Sequence, residues 1–171
     1  MIENDFKKHV IPLASKAYSM ARRMLDNEDL ANDAIQQSLL KLWEKRNQLD
    51  HCQNLKAFVF RVVRNVCLDE FKKKKPVYSD QLHLVNNVLV KPERMHERAE
   101  MVQIVKQIIE TLTESQREII QLRDIDGLEF EEIAEITMMD VPYIRVLLSR
   151  ARKTVKEKLD KIYQYEAHGE G

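Results

Sequence analysis

Arg145, Ser149, Arg150, Arg152, Lys153 and Lys156 lie close together near the end of this chain and share the chemistry of anion recognition. Guanidinium groups grip phosphate oxygens in pairs and can read the O6 and N7 edge of guanine, so such a run suits a nucleic acid. Just upstream, Ala134, Ile144 and Leu147 are spaced ten and three residues apart. A small residue followed by apolar residues at that spacing is what a helix-turn-helix requires, the small one where two helices cross and the others locking the second helix down. Ile133 and Ile136 support the first helix and Met138-Met139-Asp140 forms the turn. Asp140 is a good N-cap, and Pro142 falls in a first turn that has no backbone donor to lose. Taken alone, the same pattern also fits a helical hairpin with a basic solvent face.

Other chemistries find less support. Glu129, Glu131 and Glu132 could do acid–base work, but no His or second carboxylate cluster accompanies them, so a solvated helix face is the plainer reading. His51 and Cys52 are adjacent without further ligands nearby, and Cys52 and Cys67 lack metal-ligand spacing. We expect no catalytic residue, no metal and no cofactor, with both cysteines reduced in a cytoplasmic protein. The apolar runs are far shorter than a membrane span and the N-terminal residues lack a signal-peptide core, which predicts no membrane insertion.

The elements that must position these residues are helical. Three Gly and four Pro in 171 residues, with 33% charged residues, point to an all-α protein. Apolar periodicity predicts helices over 6–25, with Pro12 near a first turn or break, then over 30–43, and over 55–74. The last carries apolar residues on more than one face, as a helix central to a bundle would. Asn27 or Asp29 can cap the second helix, and 47–54 reads as a polar loop. Pro76 ends the third helix, and 76–92 lacks sustained periodicity. Beyond it, 93–111 is predicted helical with Ala99, Val102, Val105, Ile108, Ile109 and Leu112 inward. Thr113 and Gln116 form a capping box, and Gly127 supplies a helix stop. The expected architecture is two small helical domains, 1–75 and 99–171, joined by a flexible linker over 76–98, with the helix-turn-helix in the second.

Net charge is zero, yet the charges are segregated. Residues 55–75 hold seven Lys/Arg against Asp69 and Glu70, and 141–161 hold seven against Glu157 and Asp160. Between them, 99–140 carry eleven carboxylates against three basic residues. Two basic segments separated by an acidic one suggest two contacts with a polyanion, since phosphate neutralisation dominates such affinity. Lysine-rich helices that merely solubilise their surfaces would give the same pattern.

Three segments carry a resemblance that narrows the choice. DLANDAIQQSLLKLWEKR resembles region two of bacterial RNA polymerase sigma factors, and LKAFVFRVVRNVCLDEFKKKK is similar to the helix that follows it in the extracytoplasmic-function (ECF) group. LTESQREIIQLRDIDGLEFEEIAEI, with the later VPYIRVLLSRARKTVKEKL, resembles region four. The resemblance implies a non-enzymatic initiation factor that binds core RNA polymerase and promoter DNA, takes no small-molecule substrate and is held by an anti-sigma factor. It puts Asp33, Gln36, Gln37, Leu40 and Trp43 at the polymerase clamp helices, although Trp43 reads more as a core residue than as an interface one. It puts Arg61, Arg64, Asn65, Lys72 and Lys73 at the −10 element, where Asn65 would help hold a flipped base and 47–54 part of its pocket. Arg145, Ser149, Arg150 and Lys153 would contact the −35 element.

Four positions depart from the family pattern. Met138 stands where the turn usually has Gly, Gln37 replaces a Glu, and Val146 and Leu147 replace polar residues of the recognition helix. Two rivals remain at this level: a stand-alone helix-turn-helix repressor or activator with a dimerising or ligand-binding N-terminal bundle, and a helical enzyme built on the Glu129 cluster.

Overall fold

The computed structural model describes residues 1–74 and 97–168. Among them all regular structure is helical, in the order α1 (Glu3–Leu25), α2 (Glu28–Glu44), a single turn α3 (Arg46–Leu49), α4 (Leu55–Lys74), α5 (Glu97–Glu110), α6 (Glu114–Ile120), α7 (Phe130–Thr137) and α8 (Val141–His168). The linker expected over 76–98 lies outside the described residues except for its last two, which already belong to α5. No described helix is long and apolar enough to cross a membrane.

Packing divides the chain into two compact units, and their membership is not sequential. The first gathers α1 to α4 and, from later in the chain, Leu122–Val141; the second gathers α5, α6 and α8 from Pro142. The segment 122–141, which the sequence places in the second domain, therefore packs with the first four helices.

In the first unit, α1 presents Phe6, Val10, Ala14, Ala17 and Ala21 to the core. Three alanines on one face let neighbouring helices approach closely. α1 runs unbroken through Pro12, so the expected break does not occur; neighbouring buried turns hold the helix although the proline cannot donate. Asp26 ends α1 in the left-handed conformation, and the Asn27 side chain accepts from Leu30 N–H at 2.9 Å to start α2. Phe6, Val10, Ala14, Leu42, Leu49 and Val59 form the central cluster. Leu49 belongs to α3, so the 47–54 stretch is more than a polar loop: its first half is a helical turn that plugs the core.

α4 packs on α1, α2 and α7, in keeping with its apolar residues on more than one face. Ala57, Val59, Phe60, Val63, Val66 and Cys67 are all buried along it. Burial pushes the Cys67 thiol up to about 11, so it behaves as an apolar filler rather than a nucleophile. Leu122, Leu128, Ile133 and Ile136 supply the apolar side of the 122–141 segment.

In the second unit Ile108, Ile109, Leu112, Ile119, Ile120, Ile144, Leu147, Leu148 and Ala151 are buried. Val102, expected inward, is half exposed and Ala99 is exposed; the first turns of α5 contribute little to the core. Thr113 caps α6 by accepting from Gln116 N–H at 3.4 Å, and Arg117 ties off the end of α5 through the carbonyls of Glu110 and Leu112. After Ile120 the chain widens into a π-helical turn, Gln121–Ile125, before the expected stop at Gly127 (φ 68°).

Candidate nucleic-acid and polymerase interfaces

α2 carries the first set of predicted site residues. Its inner face holds Ala31, Ala34, Ser38 and Leu42, and the Ser38 hydroxyl donates back to Ala34 O at 2.6 Å. Asp33, Gln36, Gln37 and Leu40 follow the helical repeat on the opposite, exposed face. Leu40 is 65% exposed, an apolar side chain set among polar ones. Trp43 is separated from this group: its ring meets Phe6 edge-on at 5.0 Å and Arg46 lies over it at 4.5 Å. Its packing is that of a core residue supporting α2 from within. Sequence reasoning overlooked Arg46, whose three-residue offset from Trp43 was the available signal.

α4 carries the second set. Arg61, Asn65 and Lys72 recur along one stripe of the helix, Asn65 and Lys72 exposed and Arg61 half-buried over the Phe58 ring at 5.3 Å. Arg64 is half-buried, and Lys73 is exposed and paired with Glu70 at 2.7 Å. An exposed amide flanked by cations can hydrogen-bond an unstacked base while its neighbours hold phosphates.

The third set lies on α8. Ile144, Leu147, Leu148 and Ala151 line its buried face, whereas Arg145, Ser149, Arg150, Arg152, Lys153 and Lys156 are exposed. Leu147 is thus a packing residue; Val146, 43% exposed, sits within the basic face. The turn before α8 also departs from expectation in a defined way: Met138 itself takes the left-handed conformation (φ 61°, ψ 23°), its N–H donating to Ala134 O, and its side chain is 78% exposed. The backbone geometry that usually calls for glycine is kept without one.

The acidic residues near α7 are structural rather than catalytic in their bonding. The Glu129 and Glu132 side chains form a reciprocal capping box at the start of α7. Glu132 also meets Lys56 Nζ at 3.0 Å. Burial pushes the Glu132 carboxyl up, but the Glu129 N–H, Lys56 and Asn54 together outweigh it and hold the group below its usual range. Arg23 pairs with Asp126, where burial outweighs the arginine and leaves the carboxyl above its usual range. Arg123 bonds Leu128 O at 2.7 Å and Glu129 at 3.1 Å while lying over Phe130. Arg23, Lys56 and Asp126 were not singled out from sequence; for Lys56 and Asp126 the opposed charge of 55–75 and 99–140 was a hint, and for Arg23 there was none.

Residues 11–77 match the family model of sigma-70 region 2, and residues 103–155 that of sigma-70 region 4. The ECF RNA polymerase sigma factor SigW of Bacillus subtilis is 26% identical over 155 residues, covering 84% of this chain and 83% of SigW. The ECF RNA polymerase sigma-E factor of Escherichia coli K12 is 26% identical over 172 residues, covering 92% of this chain and 87% of the relative. Among solved structures, the sigma factor RpoE in its co-crystal with the anti-sigma factor NepR from Bartonella quintana aligns at a TM-score of 0.67 and 25% identity, over 91% of this chain and 97% of that one. CnrH, solved with the cytosolic domain of CnrY, shares the fold at a TM-score of 0.59 and 22% identity, over 92% of this chain and 86% of CnrH. With region 2 and region 4 matched in order in one chain, and ECF factors aligning over most of its length, the chain belongs to the ECF group of the sigma-70 family.

Proposed function

We propose that this protein binds core RNA polymerase and directs it to promoter DNA, opening the −10 element and holding the −35 element as duplex. It catalyses nothing itself; polymerase does the chemistry, and melting is driven by binding energy for extruded bases. The observation that carries the reading is the ordered pair of region 2 and region 4 matches in one chain, each containing a basic helix. The functional division is residues 1–75 for polymerase and −10 DNA, 76–98 as linker and 99–171 for −35 DNA. Asp33, Gln36, Gln37 and Leu40 face polymerase, with Trp43 bracing them from the core side. Arg61, Arg64, Asn65, Lys72 and Lys73 serve the −10 element, and Arg145, Ser149, Arg150 and Lys153 the −35 element. The protein works in the cytoplasm, where polymerase and DNA are. An anti-sigma factor is the expected regulator, since both solved relatives named above were crystallised or solved with a partner, NepR or CnrY.

Run-off transcription with cognate core enzyme tests this directly. Promoter-directed initiation should depend on the protein, and Asn65→Ala should impair promoter opening at least tenfold while changing core affinity little. Dimeric duplex binding without initiation would favour the repressor reading instead, and equal loss of opening and core binding would remove Asn65 from the base pocket.

A further inference from the structure

The short connection between α2 and α4 is pinned at both ends and in its middle. At its entry the Arg46 guanidinium lies over the Trp43 ring at 4.5 Å, and its Nη1 donates to the Trp43 carbonyl at 3.0 Å. A planar cation can stack on a ring face while its in-plane N–H groups donate, and the carbonyl end of a helix attracts it further. The ring is itself fixed, edge-on to Phe6 at 5.0 Å and packed against the central cluster. In the middle, Leu49 is 3% exposed within that cluster. At the exit Asn54 caps α4, its Oδ1 accepting from Ala57 N–H at 3.0 Å. Between these points the backbone stays coiled: Gln48 N–H donates to Lys45 O at 2.8 Å, His51 N–H to Gln48 O at 3.3 Å and Cys52 N–H to Leu49 O at 3.2 Å. Asp50, His51 and Gln53 are left exposed at the tip.

The three pins act differently. Burial of Leu49 sets how deep the connection sits, and the Asn54 cap sets where α4 begins. Neither fixes the direction in which the chain leaves α2. Arg46 does so, because both of its contacts are to Trp43, in the last turn of α2. A swing at that point is carried to the tip through a hydrogen-bonded turn rather than absorbed on the way. A base held outside its stack needs hydrogen-bonding groups in fixed places, and a misplacement of about 1 Å is enough to lose much of the effect. We propose that Arg46 is a positioning residue for promoter opening: by bracketing Trp43 it aims the 50–53 tip at the base extruded from the −10 element, without touching DNA itself. This rests on the reading of 47–54 as part of that base pocket. Trp43 then supports α2 from the core side and also sets the course of the connection that follows it.

Binding of the polymerase complex to a single-stranded −10 oligonucleotide, intact or made abasic at each position in turn, tests this. For the wild type, removing the captured base should weaken binding about tenfold, the factor for one lost stacked and bonded base. Arg46→Ala should bind the intact strand about tenfold more weakly and lose no more than about twofold further at that abasic position, because its pocket is already misplaced. Core affinity should stay unchanged. So should the slope of log affinity against log salt, which a direct phosphate contact from Arg46 would make shallower by about 0.7 on its removal. Trp43 is the sole tryptophan, so unbound Arg46→Ala should emit at longer wavelength as water reaches the ring face. Arg46→Lys, which keeps a cation there, should lie between the two in emission and in strand affinity. Circular dichroism would verify folding, and Arg46→Lys carries the test should the alanine variant not fold. An abasic penalty equal in wild type and variant overturns the positioning role, as do a flattened salt slope, a matching loss of core affinity or an unshifted Trp43 emission. A wild type that loses nothing at any abasic position would overturn the base-pocket reading, and the role of Arg46 with it.

Discussion

α4 and α8 are matched in charge and opposite in circumstance. The stretches 55–75 and 141–161 each carry seven basic residues against two acidic ones. In α4 the cations upstream of Lys72 are half-buried: Lys56 pairs with Glu132, Arg61 lies over Phe58, and Arg64 is partly covered. In α8, Arg145, Arg150, Arg152, Lys153 and Lys156 are all exposed, with Lys153 only 3.8 Å from Glu157 in a loose exposed pair. Equal charge therefore does not mean equal readiness. A cation in a partly desolvated pair must give up its partner before taking a phosphate, whereas an exposed one, even in a loose surface pair, gives up little to do so. On the proposed function, the cations of α4 would engage DNA conditionally, whereas those of α8 would meet it more readily.

The largest expected effect comes from removing what holds α8 in place. α4 is packed on α1, α2 and α7, whereas α8 relies on a single stripe centred on Ile144, Leu147, Leu148 and Ala151. Ile144 is fully buried, so Ile144→Ala should cost about 2–5 kcal/mol, the range for deleting a core side chain that leaves a cavity. Urea denaturation should show the loss as a lower midpoint at an unchanged slope. A cost below about 1 kcal/mol, well under the range for a core truncation, would mean that α8 is anchored elsewhere and that the comparison overstates its dependence.

A smaller effect separates the helices by their DNA contacts. Arg150→Ala should reduce the slope of log affinity against log salt for duplex DNA by about 1, the signature of one lost phosphate contact. Arg61→Ala should leave that slope unchanged if, as proposed, α4 meets DNA only as an opened strand on polymerase. Fluorescence anisotropy over a salt series checks both. If the two substitutions flatten the slope equally, the distinction between a conditional and an unconditional basic helix fails.

Much of this was legible in the sequence, for identifiable physical reasons. Period-3.6 apolar stripes set out the long helices, and local capping signals at Asn27 and Thr113 act as the side chains suggested. The inward face of α8 could be read because Ile144, Leu147, Leu148 and Ala151 are apolar among cations. Three things were not legible. Leu49 lies in a polar stretch, and one apolar residue has no periodicity to betray a buried turn. Pro12 argued for a break that cooperative packing of the surrounding turns overrides. The seat of 122–141 beside α4 joins residues 76 positions apart, as in Lys56 and Glu132, and no local pattern encodes such a pairing. For the candidate sites, residue type indicated the chemistry, but burial alone set Trp43 apart from Asp33, Gln36, Gln37 and Leu40.

The smallest effect concerns the turn that leads into α8. Met138 and Gly127 both have positive φ, 61° and 68°, yet only one is glycine. A left-handed residue with a Cβ is strained by about 1–2 kcal/mol, while glycine loses more chain entropy on folding, so the net advantage of glycine here is about 1 kcal/mol. Met138 is 78% exposed, and its side chain is approached by Arg61 at 4.0 Å from the sulfur, so little packing opposes the exchange. Met138→Gly should therefore stabilise the protein by about 1 kcal/mol, and Gly127→Ala, which meets no atom within 4 Å, should destabilise it by about the same amount through backbone strain alone. Paired denaturation curves measure both. A Met138→Gly variant no more stable than wild type, beside a Gly127→Ala variant that loses the expected amount, would show that the Met138 side chain holds the turn more firmly than its exposure implies, and would place the Arg61 contact among the forces joining α4 to the segment that precedes α8.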